Sequence, residues 1–383
     1  MSTPAAVVGL PVAVGKVVQV ESVASKPEKK AKDVAGTLHG LGYPPGLANE
    51  IATAAEGMPL RFWIVDNSGS MGACDGKRIC GTRVVTSTRT LELQDAVTHQ
   101  AELALHLGAR TDFNHLNIPR GGSQFVTVAS GGDTSGCPPG YVVDQLDSAV
   151  KILQASIQPC GSTPPTEAVN RVHSLLAPLA AGMRSRGELA TVVIATDGLP
   201  DSPRTFLPAL QLLMQRCPVW VVVRLCTDSE RITDYWNALD QELERPLEVL
   251  DDVFGEADEV ARYNDWLAYS PQLHAARLFG LRNHLFDFLD ERSMPPAEIK
   301  RFAEVMLGCA PLPEPEIEGD ASFIAALRAA VAQVPPVFDA RRRQMRPFID
   351  VDRVALKLKE HRFVQSLGPK LGPCLRPLAA CVG

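Results

Sequence analysis

The sequence lacks most of the features that announce a familiar chemistry. Its nine cysteines include no CxxC pair, and no histidine cluster accompanies them, so a zinc site is not expected. The closest pairs are Cys74 with Cys80 and Cys217 with Cys226. An odd number of scattered thiols fits a reducing compartment, with a Cys74–Cys80 clip as the alternative. There is no G-x-x-x-x-G-K-[ST] string for a phosphate loop. There is no G-x-S-x-G elbow, and no strand-end His stands out as a base, so serine-hydrolase chemistry is not expected either. The eight histidines, His99, His106 and His115 among them, are scattered without metal-ligand spacing. No apolar run approaches the ~18 residues of a membrane span. Aromatics make up only 6% of the chain, and none interleaves the basic run Arg341-Arg342-Arg343-Gln344-Met345-Arg346 to stack on bases, so nucleic acid is not an expected partner. The first twenty residues are apolar but lack a basic n-region and are interrupted by Pro11 and Lys16, which argues against a secretory signal. These absences predict an intracellular, cytoplasmic protein, with organelle targeting as the alternative.

What is present is ordinary globular composition with uneven charge. Hydrophobic residues are 45% of 383 and charged ones 21%, enough for one large domain with a smaller one. The net charge is −6. Residues 341–383 hold ten Lys/Arg against three Asp/Glu, and residues 240–259 hold nine acids and one Arg. Either both are solvated surfaces, or they meet each other or charged partners.

Along the chain, residues 1–32 read as a flexible leader and 33–58 as a short helical segment broken at Gly42-Tyr43-Pro44-Pro45. From 59 to 265, apolar runs alternate with longer amphipathic stretches. The runs are Leu60–Val65, Phe113–Leu116, Gln124–Val128, Thr191–Ala195, Val219–Leu225 and Leu247–Val253. Helical stretches lie between them at Leu91–Leu107, Val142–Ser156, Pro165–Met183, Thr205–Gln215 and Asp228–Leu243. That alternation predicts an α/β fold, a doubly wound, mostly parallel sheet of Rossmann-like type. Thr111–Ser130 reads as a hairpin that makes one strand near the sheet edge antiparallel. Trp63, Trp236 and Trp266 are read as core. A helical C-terminal region follows over 266–349, with helices at Gln272–Phe279, Pro296–Leu307 and Ala321–Val331, and then a basic, partly disordered tail over 350–383.

Three stretches put oxygen-bearing side chains at strand ends or ahead of a helix: Asp66-Asn67-Ser68-Gly69-Ser70, Gly161-Ser162-Thr163-Pro164-Pro165, and Ala195-Thr196-Asp197-Gly198. In an open parallel sheet the ligand crevice lies beyond the carboxyl ends of the strands where strand order reverses. If the first and fourth predicted strands are neighbours, all three stretches meet there. Carboxylates and hydroxyls without His or Cys suit Mg²⁺ or Mn²⁺ and not zinc. Two carboxylates balance a divalent ion, and neutral hydroxyls leave it electrophilic.

These stretches resemble the three parts of the metal-ion-dependent adhesion site of von Willebrand factor A-type domains. In that family they are D-x-S-x-S, a Thr in a G-x-T-P turn, and an Asp in a strand-end T-D-G. They occur here in the family's order, about 95 and about 34 residues apart, and the longer first gap is accounted for by an insertion over 72–90. The resemblance covers 59–265, roughly half the chain; around Pro59–Arg78 it is also similar to uncharacterised plant and algal proteins of this type. It implies direct metal contacts from Ser68, Ser70 and Thr163, and direct or water-mediated ones from Asp66 and Asp197. Ser162 departs from the family's usual Gly, and Thr166 lies close enough to compete with Thr163 for the second element.

The implied function is a divalent-cation-dependent protein–protein interaction module within an intracellular complex, a partner's Asp or Glu completing the Mg²⁺. It implies no enzyme activity. One alternative is a structural subunit with a metal that never exchanges its ligands. Another is an Mg²⁺-dependent phosphatase-like hydrolase, but a second Asp would then stand two residues after Asp66, where the chain has Ser68. Asp75-Gly76-Lys77-Arg78 reads as a hairpin turn, or as a rim whose cations meet a partner's acids.

Overall fold

The computed structural model describes residues 27–132, 137–243 and 247–367. The strands run in chain order as β1 (Leu60–Val65), β2 (Gly76–Cys80), β3 (Arg83–Ser87), β4 (Arg110–His115), β5 (Phe125–Val128), β6 (Tyr141–Val143), β7 (Ala190–Thr196), β8 (Val219–Leu225), β9 (Glu248–Leu250), β10 (Val337–Asp339) and β11 (Gln344–Arg346). Seven of them form one sheet in the order β6-β5-β4-β1-β7-β8-β9. Every pairing in it is parallel except β4 with β5. The α/β class, the parallel sheet and the antiparallel strand near its edge are as the apolar runs predict.

The pleat sends alternate side chains to opposite faces, and both faces are covered. Trp63, Val65, Val193 and Ala195 pack under the helices Arg89–Leu107 and Leu146–Ser156. Phe62, Ile64, Val192 and Ile194 pack under Pro165–Leu176, Pro203–Arg216 and Glu230–Glu242. β7 is buried at all seven positions, as a central strand covered on both faces must be.

Several local expectations are corrected. Gly76–Arg78 is not a turn but the start of β2, which pairs with β3 from Gly76↔Ser87 to Cys80↔Arg83. The reversal falls at Gly81, whose φ of +65° suits glycine. Cys74 and Cys80 are both free thiols. Pro165–Met183 is two helices, because the chain turns at Ala177–Leu179 around Pro178, which has no N–H to continue the ladder. Val142 and Val143 belong to β6, not to the helix after it. Val351–Leu367, read as tail, is a helix whose Val354 and Leu358 are buried. The rest of that tail, 368–383, and leader residues 1–26 lie outside the described residues.

A third core joins the helix Pro45–Gly57 to the helices that follow the sheet. Leu47 and Ile51 of the helix Pro45–Gly57 pack with Phe302, Met306, Val354 and Leu358, and the same cluster takes in Leu103, Phe254 and Val260 from the sheet's own helices. Arg61 of β1 reaches into it: its guanidinium lies 3.5 Å from the Phe279 ring centroid and its Nε donates to Phe279 O at 3.2 Å.

Candidate metal site

From β1 the chain goes outward through β4, β5 and β6, then returns to β7 on β1's other side. The order therefore reverses between β1 and β7, where a crevice opens beyond the strand ends. Asp66 follows β1 and Asp197 follows β7. The two ends are locked together by the Asp66 N–H, which donates to Ala195 O at 2.9 Å.

The first stretch curls because Asp66 organises it. Its Oδ1 accepts the Ser68 N–H at 2.8 Å, an Asx-type turn, and its Oδ2 accepts the Thr196 hydroxyl at 2.7 Å. The carboxyl is fully buried. Burial raises its pKa, while the Thr196 and Ser68 bonds pull it down and nearby Asp197 pushes it up. Ser68 Oγ lies 3.0 Å from Ser70 Oγ, and Ser70 Oγ donates to Asp197 Oδ1 at 2.8 Å. Asp66, Ser68, Ser70 and Asp197 thus form one connected oxygen cluster, buried at Asp66, Ser68 and Asp197 and exposed at Ser70.

The second stretch is laced to the first through the backbone. Gly69 N–H donates to Gly161 O at 3.2 Å and Cys160 N–H to Asn67 O at 2.7 Å. Gly161 sits at φ +68°, and a Cβ there would stand 2.3 Å from Asn117 Oδ1, so glycine is required twice over. Thr163 is half-buried and fixed by Asp201, whose Oδ1 accepts its N–H at 3.1 Å and whose own N–H donates to Thr163 O at 3.0 Å. Among the described residues no hydrogen bond joins Thr163 to the four-residue cluster; it lies on the adjoining loop.

Four further residues take part, two of them, Asn67 and Thr196, within the stretches singled out but given no role there, and two, Asn117 and Arg89, outside them. Thr196 clamps Asp66. Asn67 exchanges bonds with Asn117, accepting its N–H at 2.8 Å and donating to its O at 3.0 Å, and Asn117 Nδ2 donates to Ser162 O at 2.7 Å, so one amide pair ties three loops. Arg89 donates to Asp197 Oδ2 at 2.8 Å. Thr196 alone carried a signal, a hydroxyl beside the strand-end Asp; the others depend on which loops meet.

The cations after the first stretch serve this chain's own acids. Lys77 pairs with Asp252 and Asp228 at 3.1 and 3.3 Å, and Arg78 with Asp95 at 2.6 Å. The basic run near 341 meets the acidic stretch once among the described residues, through Arg341 and Asp258 at 3.2 Å. A second acidic group, Glu256, Glu259 and Asp290, surrounds buried Arg277, which takes Glu256 at 2.5 Å, Glu248 at 2.8 Å and Asp290 at 3.1 Å; the internal cation accounts for it.

Among known proteins, no family model and no curated protein matches this sequence. A solved structure, the PilB minor pilin from Streptococcus sanguinis, is similar at 11% identity and a TM-score of 0.33. The match covers 51% of this chain and 57% of that one. Among the described residues no helix is long and apolar enough to cross a membrane.

Proposed function

We propose that this chain is a divalent-cation-dependent protein-binding module of the von Willebrand factor A type. Asp66, Ser68, Ser70, Thr163 and Asp197 would hold Mg²⁺ or Mn²⁺, and the partner would be a protein offering an Asp or Glu. The observation that carries this reading is the connected oxygen cluster of Asp66, Ser68, Ser70 and Asp197 at the point where strand order reverses. Its donors are hard oxygens, the set that Mg²⁺ and Mn²⁺ prefer. When bound, the ion supplies an electrophilic position for a partner carboxylate.

This chain's residues divide the remaining work. Asp66, with both oxygens already bonded, shapes the loop and sets its negative charge. Ser70, at the exposed side, gives the cluster an open face and favours exchange with a partner over a sealed structural metal. Asn67, Asn117 and Gly161 hold the loops in register. A nucleophilic, phosphatase-like role for Asp66 is disfavoured by its complete burial, so no catalysis is assigned.

The test is calorimetric titration of Mg²⁺ and Mn²⁺ into chelator-stripped protein beside Asp66→Ala and Ser70→Ala. One saturable site in the wild type, lost in both variants, is the expected outcome. No uptake of either ion, by the wild type or by a variant relieved of the Arg89 contact to Asp197, removes the proposal.

A further inference from the structure

The oxygen cluster already has a cation of its own. Arg89 is the first residue of the helix Arg89–Leu107, where a positive side chain has the wrong sign for the helix dipole. Two carboxylates explain its presence. Its Nη1 donates to Asp197 Oδ2 at 2.8 Å, while Nε and Nη2 fork onto Asp75 at 2.7 and 2.5 Å. The Arg89 side chain is 15% exposed, that of Asp197 0% and that of Asp75 48%. The Arg89 N–H also donates to Ala73 O at 3.0 Å. Arg89 therefore spans from the base of the β2–β3 hairpin to the buried carboxylate of the cluster.

We propose that Arg89 is a tethered counter-cation of this site: it holds Asp197 until a divalent ion displaces the Nη1 contact, and Asp75 then retains the guanidinium. The inference rests on the metal reading above. The fork makes the exchange local, since the bidentate pair with Asp75 uses Nε and Nη2 and leaves Nη1 free to let go. It also makes Arg89 a determinant of ion choice. An ion that takes the Nη1 place at Asp197 must hold that carboxylate more strongly than a charge-assisted hydrogen bond from a singly charged group does, which the double charge of Mg²⁺ favours over Na⁺ and K⁺. Finally, it couples the site to the hairpin. Anything that draws Asp75 away from Arg89 returns the guanidinium wholly to Asp197 and weakens the metal, and by linkage the metal favours the Asp75–Arg89 pair.

The experiment is a double-mutant cycle on the full chain, titrated with MgCl₂ by calorimetry: wild type, Arg89→Ala, Asp75→Asn and the double variant. Arg89→Ala is expected to bind Mg²⁺ at least about five-fold more tightly, a coupling of ordinary allosteric size. Asp75→Asn is expected to bind about two-fold or more weakly, but only while Arg89 is present, so the double variant matches Arg89→Ala. A general charge effect predicts the same loss from Asp75→Asn in both backgrounds, and that result overturns the proposal. Equal affinity in wild type and Arg89→Ala also overturns it while leaving the metal reading intact. Mg²⁺ uptake by Arg89→Ala alone supports it, with the guanidinium closing the wild-type site. No uptake by any of the four proteins ends both readings together. Should Arg89→Ala not fold, Arg89→Gln takes its place in the cycle with the same expected and overturning outcomes, and unchanged affinity in Asp75→Asn, which alters an exposed side chain, refutes the tether by itself.

Discussion

His115 ends β4 with its imidazole buried. Its Nδ1 lies 3.1 Å from Gln124 O and so carries the proton, while Nε2 has no partner among the described residues. Burial pushes the group down to about 4, against the upward pull of the backbone bonds to Gln124 and Ser123. In the unfolded chain the same group titrates near 6.5. The folded state therefore binds fewer protons as the pH falls below about 6.5, and stability present above that pH is lost progressively down to about 4, where the loss levels off. The full loss is of order ~3 kcal/mol from this one group. His274, also buried and held low, acts in the same direction. Urea midpoints at pH 7 and pH 4.5 should converge in His115→Gln relative to wild type; an unchanged gap would mean that His115 is protonated in the fold. At this scale the candidate site was largely legible, because Asp66, Ser68, Ser70 and Asp197 combine a short spacing with a position at strand ends. Asn117 and Arg89 were not, since nothing local in Asn117-Ile118-Pro119 or Thr88-Arg89-Thr90 records that those segments face the Asp66 loop.

Secondary elements were readable where their burial was complete. β7 and β8 are near-continuous apolar runs, and only a central strand in an α/β sheet needs that. Three-residue strands are another matter. β9 was read as reaching Val253, yet Asp252 caps the helix Val253–Tyr263 by accepting the Phe254 and Gly255 N–H groups at 2.7 Å. An Asp ahead of a helix is a cap signal, but the apolar run passing through it hid the boundary. The β2–β3 hairpin went unread because most of its residues are half-exposed or exposed and its cations pair with acids of other elements, so it shows no alternating apolar face. One contact between elements gives a direct test. The helices Pro45–Gly57 and Pro296–Leu307 approach so closely at Gly46 that a Cβ there would stand 1.9 Å from Val305 O and 2.4 Å from Gly308 N. Neither backbone atom can swing aside, so Gly46→Ala should destabilise by about 3 kcal/mol through overpacking, read as a lowered thermal midpoint with the helical spectrum largely kept.

Taken whole, the molecule does not divide where the composition changes. The end of strand signals near residue 265 invited a boundary, but Trp266, Tyr269 and Phe279 share one core with Phe254 and Val260. Arg277 extends the same join in polar form, pairing with Glu248 of β9, Glu256 of the next helix and Asp290 beyond. Removing a fully buried cation leaves its carboxylates unpaired, at a cost of about 3–5 kcal/mol. Arg277→Met should therefore lower the thermal midpoint of a single calorimetric transition without splitting it. Two separate peaks in the wild type would mean that the sheet and the C-terminal helices unfold independently.

The core that Pro45–Gly57 shares with the helices after the sheet also bears on how the protein is made. The helix Pro45–Gly57 emerges from the ribosome well before Phe302, Met306 and Leu358, against which it packs and which lie about 250 to 310 residues further along the chain. At ~5–20 residues per second, the part of its apolar face that these residues cover waits some tens of seconds. For that interval it is a surface that chaperones can hold, until Pro296–Leu307 and Val351–Leu367 arrive to cover it.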